Sequence, residues 1–249
     1  MISNTWGEKM RSLIYFMSSR YENKEQANQR YCNAERVVIW ESLRRGYVSE
    51  QEVVTFKSLL GARLNEDSAI LEVACGSGRY TPFLDTPHYI GLDISPVMIS
   101  QARLNYPTKQ FMQGDAFNMA FSQRFDIVFC CRFIHHYSKP QIEQFFTITN
   151  TALKDGGFFV FDSTNYLSLS TIFKTLFQFD VHNKQPAEIL HMCHRTGFRV
   201  VSKKHYFFLP SFIYPFIPTS FAKDLDETLS PLLPARSFWC VQKMKESNV

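Results

Sequence analysis

Ile70-Leu71-Glu72-Val73-Ala74-Cys75-Gly76-Ser77-Gly78-Arg79-Tyr80 runs from a short apolar segment into a turn that holds two glycines. The run at 70–73 predicts a buried strand, and Gly76 and Gly78 let the backbone turn tightly and approach a ligand closely. Further apolar runs follow at 89–93, 110–113, 125–131 and 157–161, the last after the turn Lys154-Asp155-Gly156. Segments of helical spacing at 96–104 and 139–153 separate them. Nearly continuous apolar strands alternating with helices predict a parallel sheet covered on both faces. Ligands of such sheets sit beyond the carboxyl ends of the central strands, where the strand order reverses.

On either side of this core the pattern changes. Residues 1–60 are polar and helix-like, with amphipathic spacing at 36–45 and 50–60. They read as a helical segment in front of a domain at 61–249. Near the end, 199–209 and 237–244 look like two more strands without a clear crossover helix between them, which predicts an antiparallel pair at one sheet edge. The stretch 210–236 is a loop whose first part is rich in Pro and Phe. Two readings stay open for that part: core filling beneath the last strands, or the lining of an apolar substrate pocket or membrane-facing lid.

The chain has 249 residues, 45% hydrophobic, with a formal net charge of +4, so it can bury one substantial core and is not a disordered chain. Its basic clusters, Arg44-Arg45 and Lys203-Lys204, are short and read as solvated faces rather than as a nucleic-acid stripe. Six cysteines, none in a CxxC arrangement, fit a reduced interior better than a disulfide framework. No secretory leader and no apolar run of membrane-spanning length is visible, so a cytoplasmic location and no transmembrane segment are expected.

The chemistry narrows at the turn. The second strand ends in Asp93, twenty-one residues after Glu72, where an acid can accept hydrogen bonds from both ribose hydroxyls. The third ends in Gly114-Asp115-Ala116, a second carboxylate near a nucleoside's base. A dinucleotide fingerprint needs a third glycine at position 81, which is Thr81 here, so a pyrophosphate ligand is poorly supported. Glu72 places an acid beside the loop, which suits a ligand with an ammonium group.

Five ordered blocks, ILEVACGSGRY at 70–80, YIGLDISPVMISQA at 89–102, QGDAFNMAF at 113–121, FDIVFCCRFIHHY at 125–137 and LKDGGFFVFD at 153–162, resemble the class I S-adenosylmethionine-dependent methyltransferases. The resemblance implies a Rossmann-like, doubly wound α/β fold with a seven-stranded, mostly parallel sheet, an antiparallel last strand and an amino-terminal helical cap. It implies S-adenosylmethionine as cofactor and S-adenosylhomocysteine as product. By it Asp93 holds the ribose, Ile94 and Met98 lie near the adenine, and Asp115 and Ala116 contact its amino group and ring. Glu72, Cys75, Gly78 and the backbone around Ala74, Gly76 and Cys131 surround the methionine part, and Tyr21 or Tyr31 could stack on it. The family commonly has glycine where this chain has Ala74, so a narrowed approach and a slightly shifted cofactor are expected.

Methyl transfer from a sulfonium asks the protein to place the nucleophile and, where needed, to take one proton. His135 and His136, just past the fourth strand, are the candidate bases, because a free imidazole titrates at roughly 6.5. Arg132 is read as binding a substrate anion or, in preference, as pairing with a surface acid. His191, Cys193 and His194 offer no further ligands for a metal and read as surface polar groups. The acceptor expected is a small, fairly apolar or aromatic molecule, methylated on oxygen or nitrogen. The alternatives are a tRNA- or RNA-modifying enzyme, since the block at 134–136 also resembles wobble-uridine tRNA methyltransferases, and a non-catalytic cofactor-binding partner subunit.

Overall fold

A computed structural model describes residues 46–165, 168, 185–209 and 213–245. The predicted helix at 36–45, Tyr21 and Tyr31 lie outside them. Within them, α1 (Tyr47–Leu60) is followed by β1 (Ile70–Val73), β2 (Tyr89–Asp93), α2 (Pro96–Asn105), β3 (Gln110–Gln113), β4 (Phe125–Cys130), α3 (Lys139–Ala152), β5 (Leu153–Thr164), α4 (Pro186–Arg195), β6 (Phe198–Tyr206), α5 (Thr219–Leu229) and β7 (Arg236–Lys243).

The seven strands form one sheet in the order β3-β2-β1-β4-β5-β7-β6. Strands β1 to β5 pair in parallel, and β7 runs antiparallel to both β5 and β6. The expected antiparallel pair is present, with β7 inserted between β5 and the edge strand β6 rather than at the edge itself. The chain leaves β1 for β2 on one side and returns to β4 on the other, so the reversal of order falls at the end of β1.

Helices cover both faces, which is why the central strands read as uninterrupted apolar runs. Phe56 and Leu59 of α1, with Ile99 and Ala102 of α2, pack against Ile70, Phe129 and Phe238. On the opposite face Ile142, Phe145 and Phe146 of α3, with Ile189 and Met192 of α4, cover Val128, Phe161 and Trp239. Local chemistry sets the helix starts. Ser95 accepts the Met98 N–H at 3.2 Å with Pro96 next to it, and Ser138 and Gln141 form a capping box.

Two elements differ from expectation. The Lys154-Asp155-Gly156 turn lies inside β5, held by Lys154 on Asp126 and by the Gly156 carbonyl accepting from Gln242 at 2.8 Å. Helix α5 sits where a loop was read. Its apolar residues are Phe221, Ala222, Leu225 and Leu229, of which Ala222 is buried, and its other buried group is a carboxylate, Asp226. That group accepts from Tyr214, from Tyr47 of α1 at 2.9 Å and from the Phe208 N–H at 2.8 Å, tying the last third of the chain to α1. The Pro/Phe stretch divides within its described part: Tyr214 is core, whereas Phe221 is exposed.

Candidate functional site

The glycine turn leaves β1 on a backbone that favours residues without a side chain. Ala74, Gly76 and Gly78 all have positive φ, at 56°, 56° and 87°. Glycine is free there, whereas an L-residue in the left-handed region is disfavoured by roughly 1–2 kcal/mol. The methyl of Ala74 is therefore a backbone strain as well as a narrowing of the approach. Between β1 and β2 the connection is a chain of turns: Gly78 donates to Cys75, Thr81 to Gly78, and Phe83 and Leu84 to Tyr80. Asn105 of α2 donates to the Ser77 carbonyl at 3.0 Å and holds the turn from outside.

Asp93 stands at the end of β2, facing this turn. One carboxylate oxygen accepts the Gly76 N–H at 2.9 Å and the other the Ser95 N–H at 2.9 Å. A carboxylate has about four acceptor positions, so two remain for a diol. Burial raises the Asp93 carboxyl above its ordinary range, and the N–H groups of Ser95, Gly76 and Ile94 pull the other way. At the end of β3, Asp115 accepts from the Phe117 N–H at 3.0 Å and from Asn118 at 3.1 Å, beside the buried Ala116. The ends of β2 and β3 are joined by the Gly114 N–H on the Asp93 carbonyl. Met98 is buried next to the turn, and Ile94 is exposed above it. A Cβ built on Gly76 would meet only the Met98 sulfur, at 3.9 Å.

Glu72 lies within β1, 1% exposed, and accepts from the Tyr89 hydroxyl at 2.6 Å. Burial first, and then the nearby Asp93, push its carboxyl up to about 8. Its charge at neutral pH is thus weaker than a free acid's, which corrects the simple picture of a negative charge beside the loop. Burial also raises the thiols of Cys75 and Cys131, so neither is a ready nucleophile.

The cleft wall beyond β4 was incompletely legible. Arg132 has φ 57° and is anchored twice: its N–H donates to Asp162 at 2.5 Å and its Nε to Glu52 at 2.7 Å. The expected surface acid is instead a fully buried one on α1. Glu52 also pairs with Arg236 and accepts from Tyr80 at 2.7 Å and Arg79 at 3.4 Å, and Arg236 reaches Asp162 as well. These guanidiniums hold the Glu52 carboxyl well below the usual range although burial alone would raise it. Sequence reading missed Glu52. The available signal was an acid at a core position of α1, among Val48, Thr55, Phe56 and Leu59.

His135 and His136 form a single 3-10 turn with ring centroids 4.0 Å apart. Next to them Phe117, Phe133 and Tyr137 are in mutual ring contact. His191 and His194 are exposed and Cys193 is buried; among the described residues no group of His, Cys, Asp and Glu could hold a metal.

The turn, the paired acids of β2 and β3 and the wall after β4 thus meet at the switch point. Carboxylates stand at the ends of β2 and β3, the face at Gly76 is open, and the apolar Met98 and Ala116 are buried beside them. No helix of the described residues is long and apolar enough to cross a membrane.

Residues 70–157 match the family model described as a methyltransferase domain. An uncharacterised methyltransferase of Synechocystis is 30% identical over 93 residues, which are 36% of this chain and 44% of that protein. The malonyl-[acyl-carrier protein] O-methyltransferase of Haemophilus ducreyi is 31% identical over 112 residues, 41% of this chain and 43% of its own. The matched stretch therefore spans less than half the length of either relative. The magnesium protoporphyrin IX methyltransferase of Synechocystis, solved with bound SAH, shares the fold with a TM-score of 0.68 at 14% identity, over 89% of this chain and all of that one. Over residues 70–157, which begin with β1 and its glycine turn, the chain matches a methyltransferase domain, and its sheet shares the fold of that solved methyltransferase.

Proposed function

We propose that the protein moves the methyl group of S-adenosylmethionine to an oxygen or nitrogen of a small, fairly apolar or aromatic molecule. One observation carries the reading of the acceptor: the wall past β3 and β4 combines Phe117, Phe133 and Tyr137 with the imidazoles of His135 and His136. An apolar or aromatic body packs on such rings, and an imidazole at its edge takes the proton of a hydroxyl or amine. The relative named for malonyl-[acyl-carrier protein] is consistent with an acceptor other than nucleic acid.

The bound cofactor supplies an electrophilic methyl carbon on a sulfonium, so the chain's own work is placement. Asp93 accepts the ribose hydroxyls with its two remaining acceptor positions. Ile94, Met98 and Ala116 flank the adenine, and Asp115 takes its amino group. The backbone of Ala74, Cys75, Gly76, Gly78 and Cys131 faces the methionine part, with Glu72 behind it. His135 or His136 holds the acceptor's proton on a ring nitrogen. Of the cap expected at residues 1–60, α1 is the described part.

The RNA reading asks for free cations along a groove. Arg79, Arg132 and Arg236, the arginines gathered at the cleft, are instead engaged by Glu52 and Asp162. The deciding experiment pairs calorimetry against S-adenosylmethionine and S-adenosylhomocysteine with transfer of labelled methyl to a panel of phenols, aromatic acids, amines and bulk tRNA. Binding with transfer to the small aromatics is expected. Transfer to tRNA alone would move the function to RNA, binding with no transfer would favour a non-catalytic partner subunit, and no binding of either ligand would overturn the proposal.

A further inference from the structure

Glu52 divides its two carboxylate oxygens between the two sides of the cofactor cleft. Oε2 takes the Tyr80 hydroxyl at 2.7 Å and Arg79 at 3.4 Å, the two residues that follow Gly78. Oε1 takes Arg132 Nε at 2.7 Å and Arg236, on the side of the cleft formed after β4 and at the start of β7. The helix that bears Glu52 needs no such group to dock. Phe56 already makes edge contacts with Tyr80, Phe129 and Phe238, and Leu59 and Leu60 are fully covered. Apolar groups of similar volume commonly stabilise a fold as well as a buried ion cluster does, while the cluster is directional and fixes one geometry.

The geometry has something to fix. Arg132 holds a left-handed backbone that its side chain disfavours, and its two anchors, Asp162 and Glu52, converge through Arg236. The residue before it is Cys131, and the residues after it lead to His135 and His136. On the other side, Arg79 and Tyr80 end the glycine turn, whose connection to β2 has no regular helix to stiffen it.

We propose that Glu52 is a positioning residue: one buried carboxylate that sets the glycine turn and the Arg132 wall at a fixed separation before cofactor arrives. The proposal rests on the reading that the turn at 72–78 holds S-adenosylmethionine. Docking of α1 then becomes part of the binding site, and loosening this carboxylate weakens cofactor affinity beyond its effect on folding.

The test measures S-adenosylhomocysteine binding by calorimetry at a temperature where every variant is folded, together with thermal midpoints and amide hydrogen exchange. Glu52→Gln keeps the shape and one acceptor but removes the charge. Leu59→Ala loosens the same helix without touching the cluster. For Glu52→Gln the expected weakening is about tenfold or more, equal to about 1.4 kcal/mol, with faster exchange at 75–80 and 132–136. Leu59→Ala should lower the midpoint and leave affinity within about twofold, since its contacts lie outside the cleft. If Glu52→Gln does not fold, Arg79→Gln removes an Oε2 contact, and Tyr80→Phe removes another together with the Tyr80 bond to the Cys131 sulfur at 2.9 Å; each should weaken binding severalfold. Unchanged affinity in the folded Glu52 variant, or in both loop variants, overturns the proposal, as does equal weakening by Leu59→Ala. Failure of the parent protein to bind the ligand at all would overturn the cofactor reading itself.

Discussion

Replacing Glu72 by glutamine should make the protein more stable at high pH and leave it nearly unchanged at low pH. The carboxyl is buried in β1, accepts one hydroxyl from Tyr89 and lies near Asp93. Its ordinary value of 4.5 is pushed up to about 8. An acid raised by folding gives its full stabilising contribution below its unfolded value and loses it as pH climbs through the folded value. At about 1.36 kcal/mol per pH unit, the rise corresponds to about 5 kcal/mol as an upper figure, and relaxation around the ionised group reduces it to a few. A neutral amide of the same shape removes this dependence while still accepting from Tyr89. Groups such as Asp93 and the buried cysteines titrate in both proteins and largely cancel in the difference. The assay is thermal unfolding of both proteins from pH 5 to pH 9. With roughly 2–4 °C per kcal/mol for a chain of this size, the variant's advantage should grow by about 5–15 °C between those limits, most of it by pH 8. A difference in midpoint that stays constant across the range would show that Glu72 does not titrate as its burial requires.

Asp93→Ala removes the carboxylate that receives Gly76 and Ser95 and, in the proposed site, the ribose. With about 1.5–3 kcal/mol for each bond to a charged acceptor, S-adenosylhomocysteine affinity should fall by roughly 3–6 kcal/mol, and calorimetry showing no change would mean the ribose lies elsewhere. Gly78→Ala puts a methyl 2.7 Å from the Tyr106 ring on a backbone with φ 87°. It should lower the denaturant midpoint by an amount equal to about 1–3 kcal/mol. Asp226→Ala strips the shared acceptor from Tyr47, Tyr214 and the Phe208 N–H. A loss of roughly 2–4 kcal/mol in equilibrium unfolding is expected, since the buried Tyr214 and Tyr47 hydroxyls lose their charged acceptor.

The parts of the fold written locally were the readable ones. Strands β1, β2 and β4 announce themselves because both faces are covered and most positions are apolar, and α2 begins at a serine followed by proline. Helix α5 was missed although Ala222, Leu225 and Leu229 stand at helical spacing: the Pro/Phe run before it read as loop, and its fully buried anchor is a carboxylate bonded to two tyrosines. In the site, Asp93 could be found by its distance along the chain from the glycine turn. Glu52 could not be assigned a role that way: its partners lie 27, 28, 80 and 184 residues away, and only the tertiary fold brings them together. The positive φ of Ala74 likewise could not be read from the sequence: the residue sits on backbone that favours glycine.

The antiparallel strand β7 has a consequence for how the chain can be cut or recombined. The stretch that matches the methyltransferase family ends at residue 157, inside β5, whose partner on the far side is β7. From that same strand Arg236 reaches back to Glu52, which precedes the matched stretch. A recognisable segment is therefore not a separable one. Excising 70–157 for grafting would cut β5 before Phe158, leave β4 without its partners Phe158 to Val160, and strand Arg79 and Arg132 without Glu52. In this protein the boundary of the matched stretch and the boundary of mutual packing lie in different places, and a transplantable unit has to be drawn around the second.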